Sequence, residues 1–360
     1  MTNLSLDEKL KKATGVVCKQ GMFPFPVSET AISIVKHVVT EEAELDMICA
    51  FKDVPSQTMD QLKESSAFSE ETIEKLTTSL AKTGLIFNQP SSTGVMVYRL
   101  LPLVMIGLME YKFMTKLTGS DEERELAELF EKLLMELRDK VQNNYTALEP
   151  LFASAPPVDR TVPTRQTDDG KNLNIIKVGR TIDMPEDFVL PSQTVDDIIE
   201  KFDDIAVGYC FCRQRRSLLG GDCDTSAPTL NCFSFGKSAR HTSAQGFAKK
   251  VSKEEARTIM KEAEAAGLIH KAFHPGSRET SPETSICNCC KDCCDTFGLW
   301  RKGAVPLINS TYYLSMIDKD TCTGCGICVD WCPTDAIALD DNGLAEREET
   351  ACIGCGLCAR

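Results

Sequence analysis

The sequence lacks any apolar run long enough to cross a bilayer. Its most apolar stretch, Leu100 to Met109, is broken by Pro102 and Gly107. It falls far short of the roughly 20 residues a membrane helix needs. Met1 to Lys12 is polar with no apolar stretch behind it, so no secretory signal is expected and a cytoplasmic location is. Basic charge is scarce as well. The chain has 40 Lys and Arg against 53 Asp and Glu, a formal net charge of −13, which disfavours non-specific binding to nucleic acid or to an anionic membrane. No phosphate loop, GxGxxG or nucleophile motif occurs, so no catalytic residue is nominated. Cysteine is almost missing from the first 209 residues, where only Cys18 and Cys49 stand. Each reads as an ordinary thiol that packs like a small hydrophobe.

The other 16 of the 18 cysteines follow position 209. With no expected signal and with CxxC and CxC spacing, metal ligation is a better reading than disulfides. A chain of 360 residues with 42 % hydrophobic and 26 % charged content fits a globular protein of two or three domains. The expected organisation is α+β and multidomain: a helical domain over 1–147, a linker over 148–171, an α/β cysteine-rich domain over 172–308 and a small domain over 309–360.

The first of these is read mainly as helices. Apolar residues recur at helical spacing over Glu29–Val39 and Glu41–Phe51, and Thr58–Lys63 follows. Ser69 is an N-cap for a helix to Thr83, which Gly84 stops. Leu85–Gln89 and Val95–Leu100 form a hairpin, and Leu103–Thr115 and Asp121–Val141 are helices. Helices followed by a hairpin resemble a winged helix over Glu29–Leu101. Binding to DNA is not expected. Residues 1–147 hold 16 Lys and Arg against 22 Asp and Glu, and the Ser69–Thr83 helix sets Glu70, Glu71 and Glu74 against Lys75 and Lys82. In the middle domain, helices are expected from Pro191 to Phe202 and from the Ser252–Glu255 capping box to Gly267. Strands are expected over Ile205–Phe211 and Leu268–Phe273.

The strongest signal is Cys322-Thr-Gly-Cys325-Gly-Ile-Cys328-Val-Asp-Trp-Cys332-Pro333. Thiolates at three-residue intervals wrap the chain around one cubane cluster. Gly324 and Gly326 let the backbone turn tightly, so that N–H groups can face the sulfurs, and Pro333 turns the chain away. A second run, Cys352-Ile-Gly-Cys355-Gly-Leu-Cys358, follows a hairpin built on Asp340-Asp-Asn-Gly343. Zinc ribbons use CxxC pairs instead. Residues 309–360 resemble the two-cluster bacterial ferredoxin family, with Tyr312–Asp318 as leading strand. The resemblance implies two [4Fe–4S] clusters and electron transfer. In that family the last Cys of each run serves the other cluster. Cys332 would therefore join Cys352, Cys355 and Cys358, while Cys322, Cys325 and Cys328 would need a Cys four residues beyond Cys358. The sequence stops at Arg360, so this domain reads as truncated, with one cluster lacking its fourth ligand.

Nine cysteines precede this segment. Cys210-Phe-Cys212-Arg213 is followed by Cys223 and Cys232, and a second group holds Cys287, Cys289, Cys290, Cys293 and Cys294. Such density points to metal or thiol redox chemistry. Between Cys210 and Lys250, Arg213, Arg215, Arg216, Lys237, Arg240, Lys249 and Lys250 outweigh Asp222 and Asp224 by five charges. A basic environment suits an anionic cluster, an acidic redox partner or a phosphate-bearing substrate. A further [4Fe–4S] cluster is favoured, with zinc and a thiol redox centre as alternatives. His270 could ligate or be a hydrogen-bonded structural residue, and His241 and His274 are weaker candidates. Arg213, Arg215 and Arg216 read as a solvated face that neutralises the cluster.

The CxCR segment, the helix ending in Ala-Gly-Leu-Ile-His270 and the ICNCC-x2-CC loop together resemble anaerobe proteins described as 4Fe–4S ferredoxin-type domain proteins. The expected function is electron transfer, as a relay subunit or redox partner of an anaerobic oxidoreductase. A redox-sensing regulator using the winged helix, and an enzyme with an open-coordination cluster in the middle domain, are the alternatives.

Overall fold

A computed structural model describes residues 4–21, 25–154, 159–164, 194–223, 225–274, 283–304, 308–309 and 313–360. Two compact units emerge. One comprises Met1–Lys140, Gly208–Asp222 and Lys237–Lys250, and the other Val141–Val207, Cys223–Gly236 and Val251–Arg360.

The first unit opens with α1 (Leu6–Val17), which the composition alone did not suggest. Its start is nonetheless written in Ser5 and Glu8. The Ser5 hydroxyl accepts from the Glu8 N–H, and the Glu8 carboxylate accepts from the Ser5 N–H at 2.8 Å. Then come α2 (Glu29–Val38), α3 (Glu42–Ala50), β1 (Ser56–Thr58), α4 (Met59–Ser66), α5 (Glu70–Thr83), β2 (Ile86–Pro90) and β3 (Met96–Leu100). The strands form an antiparallel sheet in the order β1-β3-β2. Helix α5 starts on the Ser69 side chain and ends at Gly84, whose φ of +93° favours glycine. It buries Ile73, Leu76 and Leu80.

The helix expected over Leu103–Thr115 forms only as α6 (Leu108–Phe113). Before it, Met105 and Ile106 lie in the left-handed region at φ +66° and +67°. The Glu110 carboxylate accepts from the N–H groups of Met105 (2.8 Å) and Gly107 (2.9 Å), satisfying donors that no helix serves. Helices α7 (Asp121–Asn143) and α8 (Tyr145–Ser154) follow.

Part of the stretch expected to be a linker is structured. Helix α8 runs through Pro150, and β4 (Asp159–Val162) is a buried strand. Thereafter the chain forms α9 (Val195–Glu200), β5 (Ile205–Tyr209), α10 (Phe211–Leu218), β6 (Leu230–Phe235), α11 (Gly236–Ala244), β7 (Lys249–Lys250), α12 (Lys253–Ala265), β8 (Ile269–Phe273) and β9 (Ser285–Cys289). Last come α13 (Asp295–Arg301), α14 (Ile327–Trp331), β10 (Ile337–Leu339) and β11 (Ala345–Arg347). Ser252 caps α12, as the sequence indicates, while of the helix expected from Pro191 to Phe202 the described part forms as α9, which Thr194 caps and which ends at Glu200.

In the second unit the strands run β4-β8-β9-β6-β5. Strand β8 is antiparallel to both neighbours, with Lys271 opposite Thr161 on β4 and opposite Cys287 on β9. Ile198, Ile199, Val207, Phe233, Phe235, Met260 and Ile286 form the core against it. Lys271 and Asp159 make a fully buried ion pair, and Asn309 Nδ2 donates to Asp159 Oδ1 at 2.6 Å. The strand expected over Tyr312–Asp318 does not form among its described residues, Tyr313–Asp318, although the β10–β11 hairpin does.

Candidate metal centres

The two ferredoxin-type runs adopt the same local geometry. Gly324 and Gly326 lie at φ +70° and +77°, and Gly354 and Gly356 at +68° and +83°. Each pair turns the backbone back on itself between cysteines, a conformation that side chains disfavour. N–H groups outside these turns also face sulfur. Ala345 N–H points at Cys322 Sγ (3.4 Å), and Ala336 N–H points at Cys332 Sγ (3.2 Å). The N–H groups of Ala345 and Gly324 lower the Cys322 thiol. Burial opposes ionisation of Cys352, but donors from Ser315 and Gly354 outweigh it and lower that thiol too. Burial dominates at Cys355, which is pushed up to about 12.

Cys332, Cys352, Cys355 and Cys358 line one pocket, walled by Pro333, Ile337, Ile353 and neighbouring residues. Cys332 belongs to the first run by sequence, and the hairpin brings it to the second. Four thiols, an apolar wall and N–H donors facing sulfur are what a [4Fe–4S] cluster requires, so these residues fit the group. Cys322 and Cys328 are partly exposed and Cys325 is exposed.

The nine upstream cysteines divide differently from their two sequence groups. Cys223, from the first group, meets Cys290 and Cys293 from the second. The Sγ atoms stand 3.6 Å (Cys223–Cys290), 2.9 Å (Cys290–Cys293) and 3.2 Å (Cys293–Cys223) apart. The Cys293 N–H donates to Cys290 Sγ at 3.1 Å. Contacts from Cys293 lower the Cys290 thiol to about 6. Cys289 and Cys294 face each other, with Cys287 and Lys271 in electrostatic range, and the Cys294 contact together with burial raises the Cys289 thiol. Cys232 lies buried on β6. Cys210 is the N-cap of α10 and Cys212 lies in its first turn, so the strand expected over Ile205–Phe211 ends at Tyr209, before both cysteines.

Two expectations about the basic residues change. Arg213 and Arg215 are buried rather than solvated, and Arg215 pairs with Glu131 at 2.6 Å. Arg216 is exposed. His270 takes the structural role, with Nδ1 2.5 Å from Asn288 Oδ1 and Nε2 3.0 Å from Glu264 Oε1. His274 Nε2 accepts from Arg160 Nε, and Arg160 also bonds Glu283. His241 is buried against Phe87, Tyr111 and Phe247, and desolvation lowers its ring to about 4. Cys18 lies in the core of the first unit, where burial raises it to about 11.

Fold and site together define a protein with a C-terminal iron–sulfur domain. Residues 303–360 match the family model of the 4Fe-4S dicluster domain, which supports a ferredoxin-type domain in this part of the chain. A probable ferredoxin of Methanosarcina thermophila is 49 % identical over 37 residues, which cover 10 % of this chain and 64 % of that relative. The chain thus spans somewhat less than two thirds of the ferredoxin it matches. No solved structure matches the chain. Among the described residues, no helix is long and apolar enough to cross a membrane.

Proposed function

We propose that this protein transfers electrons through two [4Fe–4S] clusters in its C-terminal domain, as a relay subunit or redox partner of an oxidoreductase in an anaerobic metabolism. Cys332, Cys352, Cys355 and Cys358 hold one cluster, and Cys322, Cys325 and Cys328 contribute to the other. The observation that carries the assignment is the single cavity lined by four thiols from two sequence runs. A bound cluster of this type takes up and releases one electron at a time. The chain's own groups tune that exchange. The N–H donors from Ala336 and Ala345 offset charge on sulfur, and the apolar wall limits water around Cys355.

The N-terminal helices serve as a docking region for a protein partner, with 29–101 as a winged-helix-like module. Its candidate recognition helix α5 turns Glu70, Glu71 and Glu74 to solvent beside Lys75 and Lys82. That surface suits a basic protein patch better than phosphates.

The test uses anaerobically purified protein, iron analysis and EPR of the reduced state. Wild-type protein should hold about eight irons and pass electrons singly to cytochrome c. Cys332→Ser should deplete the same EPR signal as Cys355→Ser, and Cys325→Ser the other. If Cys332→Ser instead behaves like Cys325→Ser, the ligand assignment fails. If the reduced wild type passes no electrons, the function fails.

A further inference from the structure

The three thiols of Cys223, Cys290 and Cys293 stand closer together than cluster ligands do. Their sulfurs all lie within 4.8 Å of one another. No three of the seven ferredoxin-type cysteines, all among the described residues, gather that closely. The contrast has a geometric cause. Ligands of a cubane bind different irons and splay outward from its corners. Ligands of one ion converge on a point, and two sulfurs at 2.3 Å from a tetrahedral zinc stand about 3.8 Å apart. The separations of 2.9–3.6 Å are shorter than that spacing but converge on one point, as in the second case, and do not splay as in the first. They also exceed the S–S bond of a disulfide, about 2.0 Å.

A second observation concerns the loop itself. Cys290-Lys-Asp-Cys293 is a C-x2-C turn in which the Cys293 N–H donates to Cys290 Sγ. This fold-back presents both sulfurs on one side, as a two-residue spacer requires for a shared ion. Ala227, Ala263, Leu268 and Ala266 wall the site with apolar groups, which favours charge-compensated thiolates over hydrated ones.

We propose that Cys223, Cys290 and Cys293 bind a single soft divalent ion, zinc, as a mononuclear thiolate centre apart from the ferredoxin clusters. The ion ties the Cys223 loop to the turn between β9 and α13, 67 residues further along the chain. It has no redox chemistry of its own, so the centre organises the domain and does not extend the electron path. The assignment is independent of the proposed electron transfer.

The experiment is zinc and iron analysis of the full chain, with zinc K-edge EXAFS and EPR on the same sample. About one zinc per chain is expected, with at least three sulfurs at about 2.3 Å in its first shell. Cys223→Ser and Cys290→Ser should each lower bound zinc at least tenfold while iron content and EPR stay as in wild type. The wild-type EXAFS shell decides independently of whether either variant folds. Loss of about four irons from Cys290→Ser would show a third cubane and overturn the proposal. So would a wild-type protein that holds no zinc and takes up neither zinc nor cobalt when either is added.

Discussion

Replacing Gly324 and Gly326 by alanine, one at a time, separates backbone conformation from contact in the first ferredoxin run. Both residues have left-handed φ values, +70° and +77°. Alanine in that region costs about 1–2 kcal/mol. At Gly326 nothing lies within 4 Å of an added Cβ, so this is the whole effect. At Gly324 the Cβ would sit 2.4 Å from the carbonyl oxygen of Gly343, in the β10–β11 turn. Backbone cannot yield as a side-chain tip can, and forced repacking adds about 1–3 kcal/mol. Gly324→Ala should therefore cost about 2–5 kcal/mol and Gly326→Ala about 1–2 kcal/mol. The assay is denaturant-induced loss of the visible iron–sulfur absorbance under anaerobic conditions, with iron measured before each titration. The midpoint should fall clearly further for Gly324→Ala. Equal midpoints would refute the claim that the cluster loop bears on the hairpin turn.

Lys271→Met leaves Asp159 buried without its cation and should destabilise the second unit by about 3–5 kcal/mol in urea titration. Lys271→Met combined with Asp159→Leu should recover most of that loss, and a double variant as unstable as the single one would contradict the pairing. His241 should make the first unit acid-sensitive. Its ring titrates near 4 in the folded state and near 6.5 unfolded. The stabilisation is full above about 6.5 and declines by about 3 kcal/mol as pH falls through 4. Thermal melts from pH 7 to 4 should show a steep fall in wild type and a shallower one in His241→Phe.

Much of the candidate site was legible because its constraints are local. The runs at Cys322 and Cys352 carry ligands, glycines and spacing within a few residues, and the hairpin between them is written in Asp340–Gly343. The ends of α5 and α12 were legible for the same reason, in Ser69, Gly84 and Ser252. Contacts distant in sequence were not. Strand β4 sits in a proline-bearing stretch, and its strand character comes from pairing with β8. Cys223 meets Cys290 and Cys293 only through the tertiary fold. The burial of Arg215 depends on Glu131, 84 residues away. The short α6 reflects Glu110 reaching back to the 105–107 backbone, a choice that apolar periodicity does not encode.

Cys332 and its three partners in the second run enclose the β10–β11 hairpin between them. A cluster bridging Cys332 and Cys352 would act as a cross-link closing a loop of about 20 residues, and the chain-entropy model gives such a closure about 3 kcal/mol. The centre that carries electrons would then also be the rivet of its own domain. Oxidative loss of that cluster would release the hairpin as well as interrupt electron flow, so air damage would register as unfolding and as lost conductance in one event.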